Sequence, residues 1–262
     1  MDLSLSSKNR NIRLKVIYDG FSFYGWESTR FGPSIEETLK TVLQRILQEN
    51  ILLTAASRTD RGVHAACQTV NFFTRSALCL DKLQKSLNAL LPSTIKIKSI
   101  DEMELSFHAT LDALSKMYRY EIDLGPFQSP FRSHLAWHVP YQLDLPSIEK
   151  ALSLFIGRKN YSAFANAREG KKGPPENPQC EIFSFTYEPN SPHHLILKIH
   201  GNRFLYKMVR NIVGTVVAVG RSKMTVDSVR ELFNTTDREL AGMTAPAHGL
   251  YLERVFYGEK CL

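Results

Sequence analysis

Two periodicities alternate along the first hundred residues, and their order restricts the fold more than any other feature of the chain. Ile12-Arg13-Leu14-Lys15-Val16-Ile17-Tyr18 alternates with the two-residue period of a strand and stops at the turn signal Asp19-Gly20. Ile35, Leu39, Val42, Leu43, Ile46 and Leu47 then recur at helical spacing. They follow Ser34-x-x-Glu37, which has the form of a capping box. Ile51 to Ala56 and Gln68 to Phe73 read as two strands, and Asp81 to Leu90 reads as a second helix with Leu83, Leu87 and Leu90 on one face. Ile95 to Ile100 alternates again as a strand. The order β-α-β-β-α-β is that of a ferredoxin-like unit and places the chain in the α+β class.

The second half carries a different succession. Lys116 to Leu124 reads as a long strand, followed by a turn-rich stretch through Gly125-Pro126-Phe127 and Pro130. Ser147 to Phe155 looks helical, and Ala167 to Pro178 is a basic loop containing Lys171 and Lys172. Strands near Ile182–Tyr187 and Leu195–His200 lead into a helix expected from Phe204 to Val219. A short helix from Val226 to Phe233 and a strand from Leu250 to Tyr257 close the chain. We therefore expect two half-domains: residues 1–106 and residues 107–262. A faint echo joins them, since Gly20-Phe21-Ser22-Phe23 and Gly201-Asn202-Arg203-Phe204 each follow a strand.

Between the two strands of the first half lies Ser57-Arg58-Thr59-Asp60-Arg61-Gly62-Val63-His64-Ala65. It combines one carboxylate, two guanidiniums, an imidazole and a glycine able to take a positive φ. In extended chain, residues two apart point to the same side, so Arg58 and Asp60 are expected to project together from a strand end. A cation beside a carboxylate favours the ionised form. A carboxylate ionised at pH 7 can act as a nucleophile without a separate base. The alternative is a tight strand connection with a surface ion pair contributing about 0–1 kcal/mol.

Three further segments could carry chemistry. Lys116-Met117-Tyr118-Arg119-Tyr120 puts Tyr118 and Tyr120 on one face and Arg119 on the other, and aromatic side chains on a sheet can stack unpaired bases. Taken alone, either tyrosine reads more simply as half-buried core. On the helix expected from Phe204, Met208, Ile212, Val216 and Val219 form an apolar stripe. Arg203, Lys207 and Arg210 form a basic one, which is either an RNA contact or a solvated face. The third is Asp237-Arg238 with Thr244-Ala245-Pro246-Ala247-His248-Gly249-Leu250-Tyr251-Leu252. His134 and His138 are four apart, but no glutamate stands beside them and no third ligand is evident, so no metal site is expected.

These segments, in this order, resemble the motifs of the tRNA pseudouridine synthase A family. The Asp60 segment resembles the motif around that family's nucleophilic aspartate, with Ser57 where the family usually has Gly. Phe107-His108-Ala109 followed by Tyr118-Arg119-Tyr120 resembles the second motif, with Thr110 replacing the usual Arg. Phe204 to Gly214 resembles the third and Thr244 to Leu252 the fourth. The chain departs from the family after Trp26, where Glu27 and Glu36 stand at positions usually held by Gln. The resemblance implies two RRM-like half-domains sharing a mixed, mostly antiparallel sheet, with helices on one side and an active-site cleft between the halves. It further implies Asp60 as catalytic nucleophile or base and Arg210 as its ionic partner. Tyr118 and Leu250 would hold the uracil, Arg58 would help extract the nucleotide, and Arg203 and Lys207 would contact RNA. The implied reaction converts uridine to pseudouridine on the 3′ side of the tRNA anticodon stem-loop, with no cofactor, in a homodimer.

Charge and cysteine usage agree with such a partner and compartment. A formal net charge of +7 favours a polyanion. The four cysteines have no metal-ligand spacing, and the start of the chain has no signal-peptide core, which together suggest the cytoplasm. The longest apolar run, Ile212 to Val219, is too short to span a membrane, so none is expected as a partner. Two other readings remain open on sequence: an RNA-binding protein without isomerase activity, and an aspartate-nucleophile glycosidase. The second is disfavoured because no second carboxylate with a paired role is apparent.

Overall fold

The computed structural model describes residues 10–167, 173 and 175–258. The described residues form two compact units, one of residues 10–114 with 252–258 and one within 115–251.

In the first unit β1 (Arg10–Tyr18) pairs antiparallel with β3 (His64–Thr74) and with β4 (Ile95–Met103). The two-residue β2 (Thr54–Ala55) lies beside β3. With α1 (Ile35–Leu47) and α2 (Leu80–Leu90), the element order is the expected β-α-β-β-α-β. One face of β1 supplies Ile12, Leu14 and Val16 to the core, while α1 buries Leu39 and Leu43 and α2 buries Leu83 and Leu87. The Ser34 side chain accepts from the Glu37 N–H at 3.2 Å and caps α1.

β2 is much shorter than the run Ile51–Ala56 suggests. Ile51–Leu53 stay outside the ladder, and at its other end a side chain stops it: Gln68 accepts from the Ser57 N–H at 3.2 Å and donates to the Ser57 carbonyl at 2.5 Å. The carboxamide of Gln68 thus replaces a backbone partner, and the chain leaves the sheet at Ser57. Arg58 and Asp60 consequently sit in a loop, not at the end of a strand.

The division between the units falls after residue 114, not 106. Two buried asparagines account for this. Asn11 donates to the carbonyls of Glu104 and Phe107 at 3.0 and 2.8 Å, and Asn71 accepts from the Ala109 N–H at 2.9 Å. Together they hold residues 104–109 on β1 and β3. The end of the chain joins the same unit, with the Tyr257 hydroxyl donating to the Ala109 carbonyl at 2.7 Å.

In the second unit β5 (Ser115–Asp123) pairs antiparallel with β9 (His194–Gly201), β9 with β8 (Gln179–Ser191), and β8 with β7 (Gly157–Asn160). β6 (Trp137–His138) runs parallel to β5. α3 (Leu145–Leu154) starts two residues before the expected Ser147, because Asp144 caps it and Pro146 occupies its first turn. α3 packs against α4 (Met208–Gly220) and α5 (Val226–Glu231). Phe155, Tyr161, Phe164 and Phe233 make an edge-to-face aromatic cluster in this core.

α4 begins at Met208, four residues later than expected. Lys207, with φ 58°, takes the left-handed conformation and separates Phe204–Tyr206 from the helix. Arg203 and Lys207 therefore lie outside α4, and the expected basic stripe along one helix does not form. Lys171 and Lys172 lie outside the described residues. β10 begins at Leu250 in the second unit and runs on to Phe256 in the first.

Candidate active site

In the first unit the 57–63 loop is fastened on both sides of Asp60. The Thr59 carbonyl accepts from the Trp26 N–H at 3.0 Å, and the Thr59 and Tyr18 hydroxyls share a buried hydrogen bond of 2.8 Å. The Asp60 carbonyl accepts from the Val63 N–H at 3.1 Å, closing a turn that contains Gly62 at φ 79°. Asp60 itself is half-buried. His64 begins β3 and receives the Gly20 N–H on Nδ1 at 3.1 Å.

The chain from Gly20 to Trp26 lies directly against this turn. A Cβ on Gly20 would stand 1.9 Å from the Val63 carbonyl oxygen. One on Gly25, at φ 98°, would stand 2.7 Å from the Thr59 carbonyl oxygen. Neither backbone atom can yield without moving the Asp60 turn. Gly20→Ala is therefore expected to destabilise the protein by about 1–3 kcal/mol and to depress activity further than that loss explains. Urea unfolding and an activity assay on the folded fraction, with Ser22→Ala as control, check this; an unaltered urea midpoint would show that the loops are not packed as described.

The two arginines of the loop have different neighbours. Arg61 lies over the Tyr24 ring at 4.2 Å, while Arg58 pairs with Glu27 at 2.9 Å. Both members of the second pair are largely exposed, so it contributes about 0–1 kcal/mol and can be exchanged for another anion. Glu36 accepts from the Ser28 N–H at 3.1 Å and so holds the 27–28 turn region. Thr110 donates its hydroxyl to the Ala55 carbonyl at 2.7 Å, a clamp on β2.

In the second unit the alternation of β5 places Tyr118 and Tyr120 on one face. Tyr118 is buried, with its ring edge-on to Phe204 at 5.1 Å. The Tyr120 hydroxyl donates to the Pro246 carbonyl at 2.7 Å. Burial pushes the Tyr120 phenol well above its ordinary pKa, and the positive charge of Arg210 opposes that only in part, so the phenol stays a donor. On the opposite face Arg119 lies over the Tyr251 ring at 4.2 Å and donates to Glu121 at 3.0 Å.

Arg210 occupies the first turn of α4. Its Nε donates to the Ala245 carbonyl at 2.7 Å, and the Ala245 N–H donates to the Arg210 carbonyl at 3.1 Å. Leu250, buried, follows the single helical turn Ala247–Gly249. A Cβ on Gly249 would touch the Tyr120 ring at 2.6 Å, so the chain before Leu250 lies against that tyrosine. The second unit thus gathers Tyr120, Arg210 and the 245–250 segment, with Tyr118 two residues along the same strand face. Arg203 instead donates to the Asn177 carbonyl, and the Lys207 ammonium lies 5.1 Å from the Tyr206 ring centroid.

Thr59, Asn211, Arg238 and Thr244 stand inside the motifs without a role that the sequence alone assigns, and nothing in the sequence marks Gln68 or Gly25 as shaping the Asp60 turn. The turn signal at Asp19-Gly20 was visible but does not reveal what the turn packs against.

Comparison with known proteins agrees with these motifs. The family model described as tRNA pseudouridine synthase matches residues 16–112 and 151–258. The chain is 43% identical to tRNA pseudouridine synthase A 2 of Protochlamydia amoebophila, covering 98% of this chain and 97% of that one. It is 36% identical to tRNA pseudouridine synthase A of Acetivibrio thermocellus, covering 95% of this chain and 100% of that one. Among solved structures, a Cbf5–Nop10–Gar1 complex is similar at a TM-score of 0.40 and 11% identity, covering 94% of this chain and 50% of that chain.

Proposed function

The chain belongs to the tRNA pseudouridine synthase family, and on that premise we propose that it isomerises uridine to pseudouridine in the anticodon stem-loop of tRNA, with Asp60 as the catalytic carboxylate. The reaction breaks the bond between N1 and C1′, turns the uracil and joins C5 to C1′. The proton lost from C5 is balanced by one gained at N1. Substrate and product have the same composition, so no oxidant, reductant or group donor enters the balance.

The observation that carries this reading is the doubly fastened turn around Asp60. A nucleophile or base must be held in one geometry, and Thr59 and Val63 hold the backbone on either side of this carboxylate. Arg210 would neutralise and orient it, in line with the resemblance of residues 204–214 to the family's third motif. Tyr118 and Leu250 would retain the uracil between bond breaking and bond forming, which suits their burial on a strand and at a strand start. Arg58 would help take the nucleotide from its stack, an act costing a few kcal/mol. Its exposed, exchangeable pairing with Glu27 leaves it able to turn to a phosphate. Arg203 and Lys207 would contact the RNA backbone from the segment before α4.

A homodimer acting in the cytoplasm completes the proposal. Cys67, Cys79 and Cys180 are free thiols, which suits a reducing compartment. Among the described residues no helix is long and apolar enough to cross a membrane.

The test is purified protein with unmodified tRNA transcripts, followed by nucleoside analysis and mapping of the modified positions. Pseudouridine in the anticodon stem-loop is expected. Bound tRNA with no pseudouridine would replace this reading with that of an RNA-binding protein, and release of free uracil would replace it with a glycosidase.

A further inference from the structure

α4 is apolar along most of its length, yet it carries one fully buried amide, Asn211, immediately after Arg210. A side-chain amide can donate two hydrogen bonds and accept two, and here all four are used. Asn211 donates to the Phe164 carbonyl and to Asn166 Oδ1, both at 2.8 Å. Its Oδ1 accepts from Arg238 Nη2 and from the Thr244 hydroxyl, both at 2.7 Å. Arg238 Nη2 also donates to Thr244 Oγ1 at 3.0 Å, so the guanidinium bridges the helix and the segment beside it.

This is an expensive way to hold a loop. Arg238 makes no ion pair with a carboxylate among the described residues, and its buried Nε has no partner. Burial accordingly pulls the guanidinium below its usual pKa. Charge among neutral acceptors costs stability compared with an apolar contact of similar shape. Such departures tend to sit where function requires a fixed arrangement.

The segment that Arg238 grips is the one that aims Arg210. Residues 242–245 lie so close to α4 that a Cβ on Gly214 would stand 1.7 Å from the Met243 carbonyl oxygen. The Gly242 N–H donates to Thr215 Oγ1 at 3.0 Å. Three consecutive residues then have separate duties. Thr244 takes the Arg238 bridge, the Ala245 carbonyl takes Arg210 Nε, and the Pro246 carbonyl takes the Tyr120 hydroxyl. A displacement of about 1 Å in a positioned group can cost about 10²-fold in rate.

We infer that Arg238 is a positioning residue for the isomerisation: through Asn211 and Thr244 it fixes residues 244–246, and so the direction of the Arg210 guanidinium. This rests on the role proposed above for Arg210.

The experiment is a double-mutant cycle read by single-turnover pseudouridine formation and by tRNA affinity. Arg238→Met should lower the single-turnover rate by about 30-fold or more, with Kd for tRNA changed less than about threefold. Thr244→Val keeps the arginine and removes the hydroxyl; a loss of about 5–10-fold is expected. It carries the cycle if Arg238→Met fails to fold. Placed in an Arg210→Ala background, either substitution should lower the rate by no more than about twofold further, because the residue it acts through is gone. Losses that multiply in that background, or weakened tRNA binding at unchanged rate, would overturn the inference while leaving the Arg210 reading intact. An Arg210→Ala variant as fast as the wild type would sink that reading, and the inference with it.

Discussion

Asp60→Asn is expected to abolish pseudouridine formation while tRNA binding and the fold persist. The substitution keeps the shape of the side chain and removes its charge. The contacts that hold the turn come from the neighbours: the Thr59 carbonyl and hydroxyl, and the hydrogen bond closed by Val63. These contacts are made by backbone groups and the Thr59 hydroxyl, all of which the substitution leaves in place, so the fold should persist. Removing a residue on which the chemistry depends typically costs about 10⁴–10⁶ in rate. Single-turnover assays with protein free of wild-type contamination provide the measurement, with Kd for tRNA measured in parallel. Pseudouridine made at even a hundredth of the wild-type rate would remove Asp60 from the centre of the reaction. Loss of tRNA binding together with activity would make the residue a binding contact and nothing more.

The legibility of this molecule in its sequence follows the range of the interactions involved. Local signals held: the period of α1 with its Ser34 cap, the alternation that puts Tyr118 and Tyr120 on one face, and the β-α-β-β-α-β order all emerge from residues a few positions apart. What escaped was decided by partners distant in the chain or by one backbone angle. The run Ile51–Ala56 has strand composition, but only Thr54–Ala55 pair with β3, and the Gln68 amide stops the ladder at Ser57 from 11 residues away. Phe204–Tyr206 continue a helical pattern, but Lys207 turns left-handed before the helix begins. Residues 104–109 are held on the first unit by Asn11 and Asn71, and Leu114 by a backbone bond to Phe256; no periodicity encodes such bonds. The chemistry-bearing residues were readable because they stand in short motifs; the residues that position them were not, because glycines and amides act through what they touch.

Arg210 and Lys207 stand three residues apart and carry the same charge, which makes them a sharp comparison. Arg210 is anchored through Nε, which donates to the Ala245 carbonyl at 2.7 Å, and the Asp60 carboxylate is the partner proposed for its charge. Arg210→Ala removes both the charge and the anchor of residue 245, so turnover should fall by about 10²–10³-fold, the usual consequence of losing one preorganised donor. Arg210→Lys should recover little, because a single ammonium cannot serve the Ala245 carbonyl and a carboxylate in the same fixed plane. Lys207 precedes the helix, in a left-handed conformation that Asn also tolerates, and its ammonium lies beside the Tyr206 ring. Lys207→Asn should therefore keep the fold, weaken tRNA binding a few-fold at low salt and leave the single-turnover rate unchanged. The two variants separate two meanings of positive charge, one bound to a fixed direction and one spread along a polyanion. If Arg210→Ala only weakens binding, with a rate like that of Lys207→Asn, then Arg210 is a second phosphate contact and its pairing with Asp60 must be abandoned.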